Sequence, residues 1–167
     1  VAGSIYDEIL DFANYAFNKA HAVAYAIVAY RTAYMKLHYS REYMAALLSS
    51  VLDSSAKVAE YIAECREWGI KLLPPDVNES EADFTVSGEN IRFGLVAIKN
   101  IGRGFITALV ESRETEGSFR SFDDFCRRLF GKDLNRRAVE SLIRAGAFDS
   151  LGYRRSQLMR VVDRVID

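Results

Sequence analysis

The sequence has little of what would indicate a membrane, disulfide-bonded or zinc-binding protein. Its two cysteines, Cys65 and Cys126, are isolated and form no Cys-x-x-Cys pair, so we expect reduced thiols and no metal site. The longest apolar run, Ala22 to Tyr30, has nine residues, far fewer than the roughly 20 of a membrane-spanning helix. With half of its 167 residues apolar and only two prolines, the chain is expected to be a globular cytoplasmic protein with no membrane partner.

Acidic residues are missing from one long stretch. Between Phe12 and Arg41 there is no Asp or Glu, whereas residues 53–90 contain nine acids and three bases. Residues 99–160 reverse the balance, with thirteen bases and eight acids. Two basic regions flanking an acidic one favour a polyanionic partner, although an ordinary solvated surface produces the same pattern.

The periodicity of the apolar residues predicts a mainly α-helical fold. A proline pair after Leu73 breaks the helical pattern, and Ser87-Gly-Glu-Asn90 predicts one short β-hairpin across residues 84–93. We therefore place a boundary near residue 72 and expect the long second helix to be the central packed element. The predicted domains are 1–72, 73–152 and a C-terminal helix at 153–167. The predicted helices cover about 4–17, 18–38, 40–51, 55–68, 105–114, 122–129, 136–145 and 155–166.

The first candidate site lies on the helix predicted at 18–38. Asn18, His21 and Tyr25 follow one another at helical spacings of three and four, with Lys19 beside them and Arg31 further along. A helix N-terminus favours phosphate, Lys and His add charge or a hydrogen-bond donor, and a Tyr ring can stack on a base. The pattern predicts nucleotide binding, and ordinary core packing of a His and several Tyr is the alternative.

The second candidate site is the stretch Leu95 to Ala108, LVAIKNIGRGFITA. It looks like a helix-hairpin-helix, a motif in which a tight turn between two helices holds a nucleic-acid phosphate without reading bases. Gly102 and Gly104 would allow the backbone to approach the phosphate, and Lys99 and Arg103 would add charge. The common pattern has Gly where Asn100 stands, and Asn tolerates the left-handed conformation that such a turn requires. A purely structural tight turn is the alternative.

The stretch FNKAHAVAYAIVAYRTAYMKLHYSREYMAALLSS closely resembles the fingers of the bacterial C-family replicative DNA polymerases. Segments including LPPDVNES, IRFGLVAIKNIG and NRRAVESLIRAGAFDSLG resemble, in order, the region that follows the fingers, so the likeness runs from about Ile5 to Gly152. The sequence departs from the family at Ala20 and Ser40, where Ser and Pro are common. The matching fingers residues are Phe17, Asn18, Lys19, His21, Tyr25, Lys36, His38, Tyr39, Glu42, Met44, Ala45 and Ala46.

The resemblance implies that the chain is part of a DNA-directed DNA polymerase, a nucleotidyltransferase. The 18–38 helix would form a wall of the site for the incoming deoxynucleoside triphosphate, and primer–template DNA and other replicase subunits would be the partners. The family's Mg²⁺-binding carboxylates lie in its palm, which precedes the fingers, and no Asp-x-Asp pair occurs here. We therefore expect a fragment without cofactor or activity of its own. A stand-alone helix-hairpin-helix DNA-binding module and a structural protein-interaction domain are the alternative functions.

Overall fold

The computed structural model describes residues 2–15, 19–132 and 134–166 of the chain. Within these ranges it has eight α-helices and one three-stranded sheet, which confirms the predicted mainly α-helical fold with a β-hairpin. Short 3₁₀ turns occupy 95–97 and 149–151. The helices are α1 (Ala2–Tyr15), α2 (Lys19–His38), α3 (Ser40–Ser50), α4 (Ser55–Glu67), α5 (Arg103–Glu116), α6 (Phe122–Leu129), α7 (Arg136–Ala145) and α8 (Arg155–Ile166), and the strands are β1 (Leu72–Leu73), β2 (Thr85–Ser87) and β3 (Asn90–Arg92).

Side-chain caps fix where several of these helices begin. Ser54, Ser121 and Asn135 each precede a helix and accept a hydrogen bond from the backbone N–H three residues later, at 3.4, 3.0 and 2.9 Å. Such a cap satisfies one of the amides that a helix start leaves unpaired. The starts of α4, α6 and α7 therefore lie where the sequence predicts them, whereas α1 begins two residues before the predicted start, at Ala2.

The predicted hairpin is present, and a third strand joins it. β2 pairs antiparallel with β3, and β1 pairs parallel with β3, so the order is β1-β3-β2. Ile91 in the central strand lies opposite both Leu72 and Val86 and is fully buried. The two residues of β1 are too few to carry a strand pattern, so only the fold reveals this pairing.

The chain divides into two compact units, residues 1–40 and 41–167. The second unit contains two clusters of buried apolar side chains. One lies around Met44, Leu48, Cys65 and Ile91, and joins α3 and α4 to the sheet. The other joins the 95–97 turn to α5, α6, α7 and α8. Its largest fully buried side chains are Phe119, Phe125, Phe148, Leu95, Ile106, Leu109, Leu129, Leu142 and Ile143.

Residues 1–40 have a different character, because no described side chain of α2 is buried. The expectation that α2 is the central packed element is therefore wrong for residues 1–167. The predicted boundary near residue 72 falls inside the second unit, and as a division between functions it stays a prediction. Among the described residues no helix is both long and apolar enough to cross a membrane, α2 included.

Candidate functional site

A tight turn separates the 95–97 3₁₀ turn from α5. Asn100 in this turn has φ +66°, and it is the one non-glycine residue with positive φ in the described parts of the chain. Asn is among the few residues that adopt this left-handed conformation at modest cost. The turn of a helix-hairpin-helix is therefore formed here with Asn where Gly is common.

The end of the turn presents open backbone to solvent. Gly102 is the N-cap of α5, with extended backbone at φ −79° and ψ 147°, and its carbonyl accepts the N–H of Ile106 at 3.1 Å. A Cβ built on Gly102 would meet no atom within 4 Å, and Gly104 is exposed. The first amides of α5 have no partner within the helix. A phosphate can consequently approach this backbone closely.

The two predicted basic side chains flank that backbone. Lys99 is exposed, and the Arg103 side chain is 70% exposed with its guanidinium 4.0 Å from the Asp83 carboxylate. A pair at this distance and exposure contributes little to stability, so Arg103 is available to another anion. The structure thus brings together Lys99, Gly102, Arg103 and Gly104 as the sequence predicts.

Buried neighbours hold the turn in place. Phe105 and Ile106 at the start of α5 are buried in the larger cluster, as is Ile98 before the turn. The Asn100 amide nitrogen donates to the Ser141 hydroxyl of α7 at 3.2 Å. A site supported in this way keeps its geometry before any ligand binds.

The first turn of α7 lies beside the Asn100 turn, and this neighbour was not predicted from the sequence. One open cleft of about 520 Å³ is lined by Asn100 together with Asn135, Arg136 and Arg137. A second, of about 430 Å³, joins Asn135 to the backbone of Gly102 and Gly104. Two adjacent arginines in the first turn of a helix are unfavourable, because their positive charges oppose the helix dipole. This pair in the sequence could therefore have indicated a binding role for the start of α7.

The three arginines of α7 differ in their partners. Arg136 bonds the Glu140 carboxylate at 2.8 Å, and Arg144 reaches the same carboxylate at 3.1 Å. The hydrogen bond from Arg136, aided by both positive charges, holds the pKa of Glu140 below its usual range. Arg137 is exposed, and no described carboxylate lies within 4.0 Å of its guanidinium. It therefore adds positive charge to the cleft that no described acid neutralises.

The residues predicted to bind nucleotide lie on α2, except Asn18, which is outside the described residues. His21 and Tyr25 stack one turn apart, with ring centroids 4.4 Å apart and planes tilted by 43°. Lys19 is two positions before His21, and residues two apart on a helix point to nearly opposite sides. The structure therefore joins His21 to Tyr25 but directs Lys19 away from them.

Arg31 belongs to a different part of α2. It lines an apolar cleft of about 370 Å³ with Tyr30, Tyr34 and Met35. Tyr34 in turn packs on His38, with ring centroids 4.3 Å apart. Ten positions separate Arg31 from His21, so the helix carries two aromatic patches, and Arg31 lies with the second.

No metal centre is found in the described ranges, where no three His, Cys, Asp or Glu side chains converge. The pair Asp123 and Asp124 occupies the first turn of α6 instead. Asp124 accepts the N–H of Arg120 at 3.1 Å, and this bond, with Arg127 and Arg128 nearby, lowers its pKa. The carboxylates of the described residues are therefore not grouped as a metal-binding clamp.

Comparison with known proteins identifies the motif. Residues 69–158 match the family model described as a helix-hairpin-helix motif. The chain belongs to the helix-hairpin-helix family. The matched residues begin shortly before β1 and run into α8, so they include the Asn100 turn and both clefts of the helix-hairpin-helix.

Nearly the whole chain is also similar to DNA polymerase III alpha subunits. It is 52% identical to DNA polymerase III subunit alpha of Thermus aquaticus over 92% of this chain, and 50% identical to the subunit of Saccharopolyspora erythraea over 95% of this chain. Identity to the Escherichia coli subunit is 44% over 95% of the chain. These matches confirm the resemblance to a bacterial replicative polymerase. The chain spans only 12, 13 and 14% of the three relatives' lengths, respectively.

Proposed function

We propose that this chain is the fingers and helix-hairpin-helix segment of a bacterial DNA polymerase III subunit alpha. We further propose that the turn of the helix-hairpin-helix, from Lys99 to Gly104 and called the hairpin from here on, holds the DNA backbone. The observation that carries the proposal is the exposed turn at Asn100–Gly104, within the matched family, with open backbone between Lys99 and Arg103. In this motif the turn holds phosphate and does not read bases, so we expect a contact that is independent of sequence.

The hairpin contributes affinity through charge and through backbone hydrogen bonds. Each phosphate neutralised by Lys99 or Arg103 releases counterions, so binding weakens as salt rises. Gly102 and Gly104 add donors at a place where a side chain would keep the phosphate away. Because few contacts are involved, we expect the dissociation constant of non-specific binding, roughly 10⁻⁴–10⁻⁶ M.

For α2 we propose a second role, as one wall of the site for the incoming deoxynucleoside triphosphate. Lys19 and His21 are in the first turn of α2, where phosphate is favoured, and Tyr25 offers a ring face beside His21; Asn18, which precedes Lys19 in the sequence, is included in the proposal from the sequence alone. Because Lys19 and His21 point to different sides, they would contact different groups, His21 with Tyr25 on one and Lys19 on another. Arg31 would act further along, at the second aromatic patch.

Polymerisation itself belongs, in this proposal, to the longer polymerase. The carboxylates that bind Mg²⁺ and activate the primer 3′-hydroxyl would come from elsewhere in that protein, so this chain alone should be inactive. Its partners would be primer–template DNA, the nucleotide and, through the rest of the polymerase, the other replicase subunits of a bacterial cytoplasm.

The DNA contact is tested by titrating a labelled DNA duplex into the chain at several salt concentrations. Each lost contact should flatten the log–log salt slope by about 0.9, so Lys99→Ala with Arg103→Ala should flatten it by about two. Lys57→Ala with Arg66→Ala is the matched control, because both residues are exposed on α4, outside the matched family. Equal slopes for the two double variants would show that the hairpin is only a structural turn.

Gly102→Val tests the backbone contact separately from charge. Gly102 has an extended backbone that Val adopts readily, and the space around its Cβ position is empty, so the variant should fold. Weaker DNA binding with an unchanged circular dichroism spectrum is the expected result. Unchanged binding would rule out phosphate contact at this amide.

The nucleotide wall is tested in the whole polymerase. Lys19→Ala and His21→Ala should raise KM for nucleotide about tenfold to a hundredfold, the loss of a charge-assisted hydrogen bond of about 1.5–3 kcal/mol. Ala26→Gly on the same helix controls for a loss of helix stability alone. If both variants have unchanged KM, the wall is excluded, and a DNA-binding module becomes the better description of the chain.

A further inference from the structure

The larger and smaller clefts beside the helix-hairpin-helix turn place two basic elements side by side. In the larger cleft Asn100 lies opposite Asn135 and Arg137 of the α7 start, and in the smaller cleft Gly102 lies opposite Asn135, which lines both. The Asn100–Ser141 hydrogen bond of 3.2 Å ties the turn to α7, and both elements pack on the same buried cluster. The distance between the two sides is thus fixed by the fold.

The charges along this cleft are arranged as a polyanion would require. The first turn of α7 contains no acid, and neither does that of α5, whereas α6 carries Asp123 and Asp124 there in the usual way. Glu140 is shared by Arg136 and Arg144, so its negative charge is already paired with these two side chains. Arg137 is exposed, with no described carboxylate within ion-pair distance.

We propose that these two clefts, which Asn135 joins, carry the duplex DNA backbone onward from the turn of the helix-hairpin-helix, with Arg137 as a third phosphate contact. Lys99 and Arg103 then hold one stretch of backbone, and Arg137 holds the next at the larger cleft. The proposal rests on the DNA-binding role proposed for the hairpin, and extends the site to a helix that the motif's turn does not include.

The test is the salt dependence of duplex binding by the chain of residues 1–167. Three contacts predict a log–log slope of about −2.7, and Arg137→Ala should reduce its magnitude by about 0.9. Arg137→Lys keeps the charge and should restore the slope, which a structural role for the guanidinium would not do. Arg66→Ala removes another exposed charge, from α4, and should leave the slope unchanged.

The outcomes separate this inference from the proposed function. If Lys99→Ala with Arg103→Ala flattens the slope and Arg137→Ala does not, the hairpin binds DNA and the extended track is wrong. If neither variant differs from Arg66→Ala, both the track and the DNA-binding hairpin are wrong. Because Arg137 is exposed, the Arg137→Ala chain should retain the wild-type melting temperature. If Arg137→Ala unfolds the chain and the folded Arg137→Lys chain does not restore the slope, the proposed DNA contact at Arg137 is also wrong.

Discussion

Residues 1–40 and 41–167 differ in how their apolar side chains are used. In 41–167 the large apolar residues fill two buried clusters, and Phe125 contacts the rings of Phe119 and Phe148 with centroids 5.0 and 4.9 Å apart. In the described part of 1–40 the large apolar side chains are exposed, including Tyr25 at 63% and Tyr30 at 71%. One region therefore contains its own core, whereas the described side chains of the other form none.

The two regions consequently differ in what they can do unaided. A helix whose apolar residues lie on every side, as those of α2 do, occurs in the interior of larger proteins, and under the proposed function the remaining polymerase would enclose it. The hairpin has no such need, because Ile98, Phe105 and Ile106 already anchor it. The DNA contact should accordingly be formed in this chain, while the nucleotide wall should require the whole polymerase.

The largest expected effect of a single substitution is in the buried aromatic cluster. Phe125→Ala removes a fully buried ring and should lower the free energy of unfolding by about 3–5 kcal/mol. Tyr30→Ala, on the exposed surface of α2, should change it by no more than about 0.5 kcal/mol. Urea unfolding followed by circular dichroism compares them, and similar losses would erase the distinction between the two regions.

A medium effect is expected where one side chain joins two segments of 41–167. The Asn78 amide accepts the N–H of Phe119 at 2.7 Å and donates to its carbonyl at 3.0 Å. Asn78→Ala leaves both backbone groups without that partner and should cost about 1–3 kcal/mol. Thr32→Ala removes an exposed hydrogen bond to Ala29 on α2 and should cost far less in the same urea titration. Equal losses of unfolding free energy for the two variants would contradict the difference between residues 1–40 and 41–167.

The smallest effect concerns pH. Hydrogen bonding by the Arg120 N–H and the neighbouring guanidinium groups lowers the pKa of Asp124 in the folded chain. A lowered carboxyl pKa stabilises the fold above the unfolded pKa of about 3.9, and this stabilisation is lost as pH falls through the folded value. Asp124→Asn should therefore be less stable at pH 7 and lose less stability between pH 5 and pH 2. Parallel stability curves for the two chains would exclude this contribution.

Local chemistry explains why so much of the helical fold could be predicted. Caps such as Ser121 and Asn135 act within three residues, and apolar spacing within one helix needs no tertiary information. The left-handed Asn100 was predictable for the same reason, since the residues beside it already resemble a hairpin.

Features that depend on distant segments could not be predicted in this way. β1 exists only because Leu72 meets Ile91, and Arg137 reaches the hairpin only because α7 packs against it. The exposure of α2 is a further case: periodicity shows that a helix is apolar, but not whether these residues or others cover it. Separation of Lys19 from His21 follows from helix geometry alone and could have been predicted.

Deleting residues 1–40 tests whether the DNA-binding surface is complete within 41–167, as we propose. The deleted part carries three acids and three bases, so the net charge does not change. Duplex DNA titrated against both chains at several salt concentrations should give the same log–log slope and dissociation constants within about twofold. A folded 41–167 chain whose slope is shallower by about 0.9 or more would show that residues 1–40 supply a phosphate contact, and would contradict the claim.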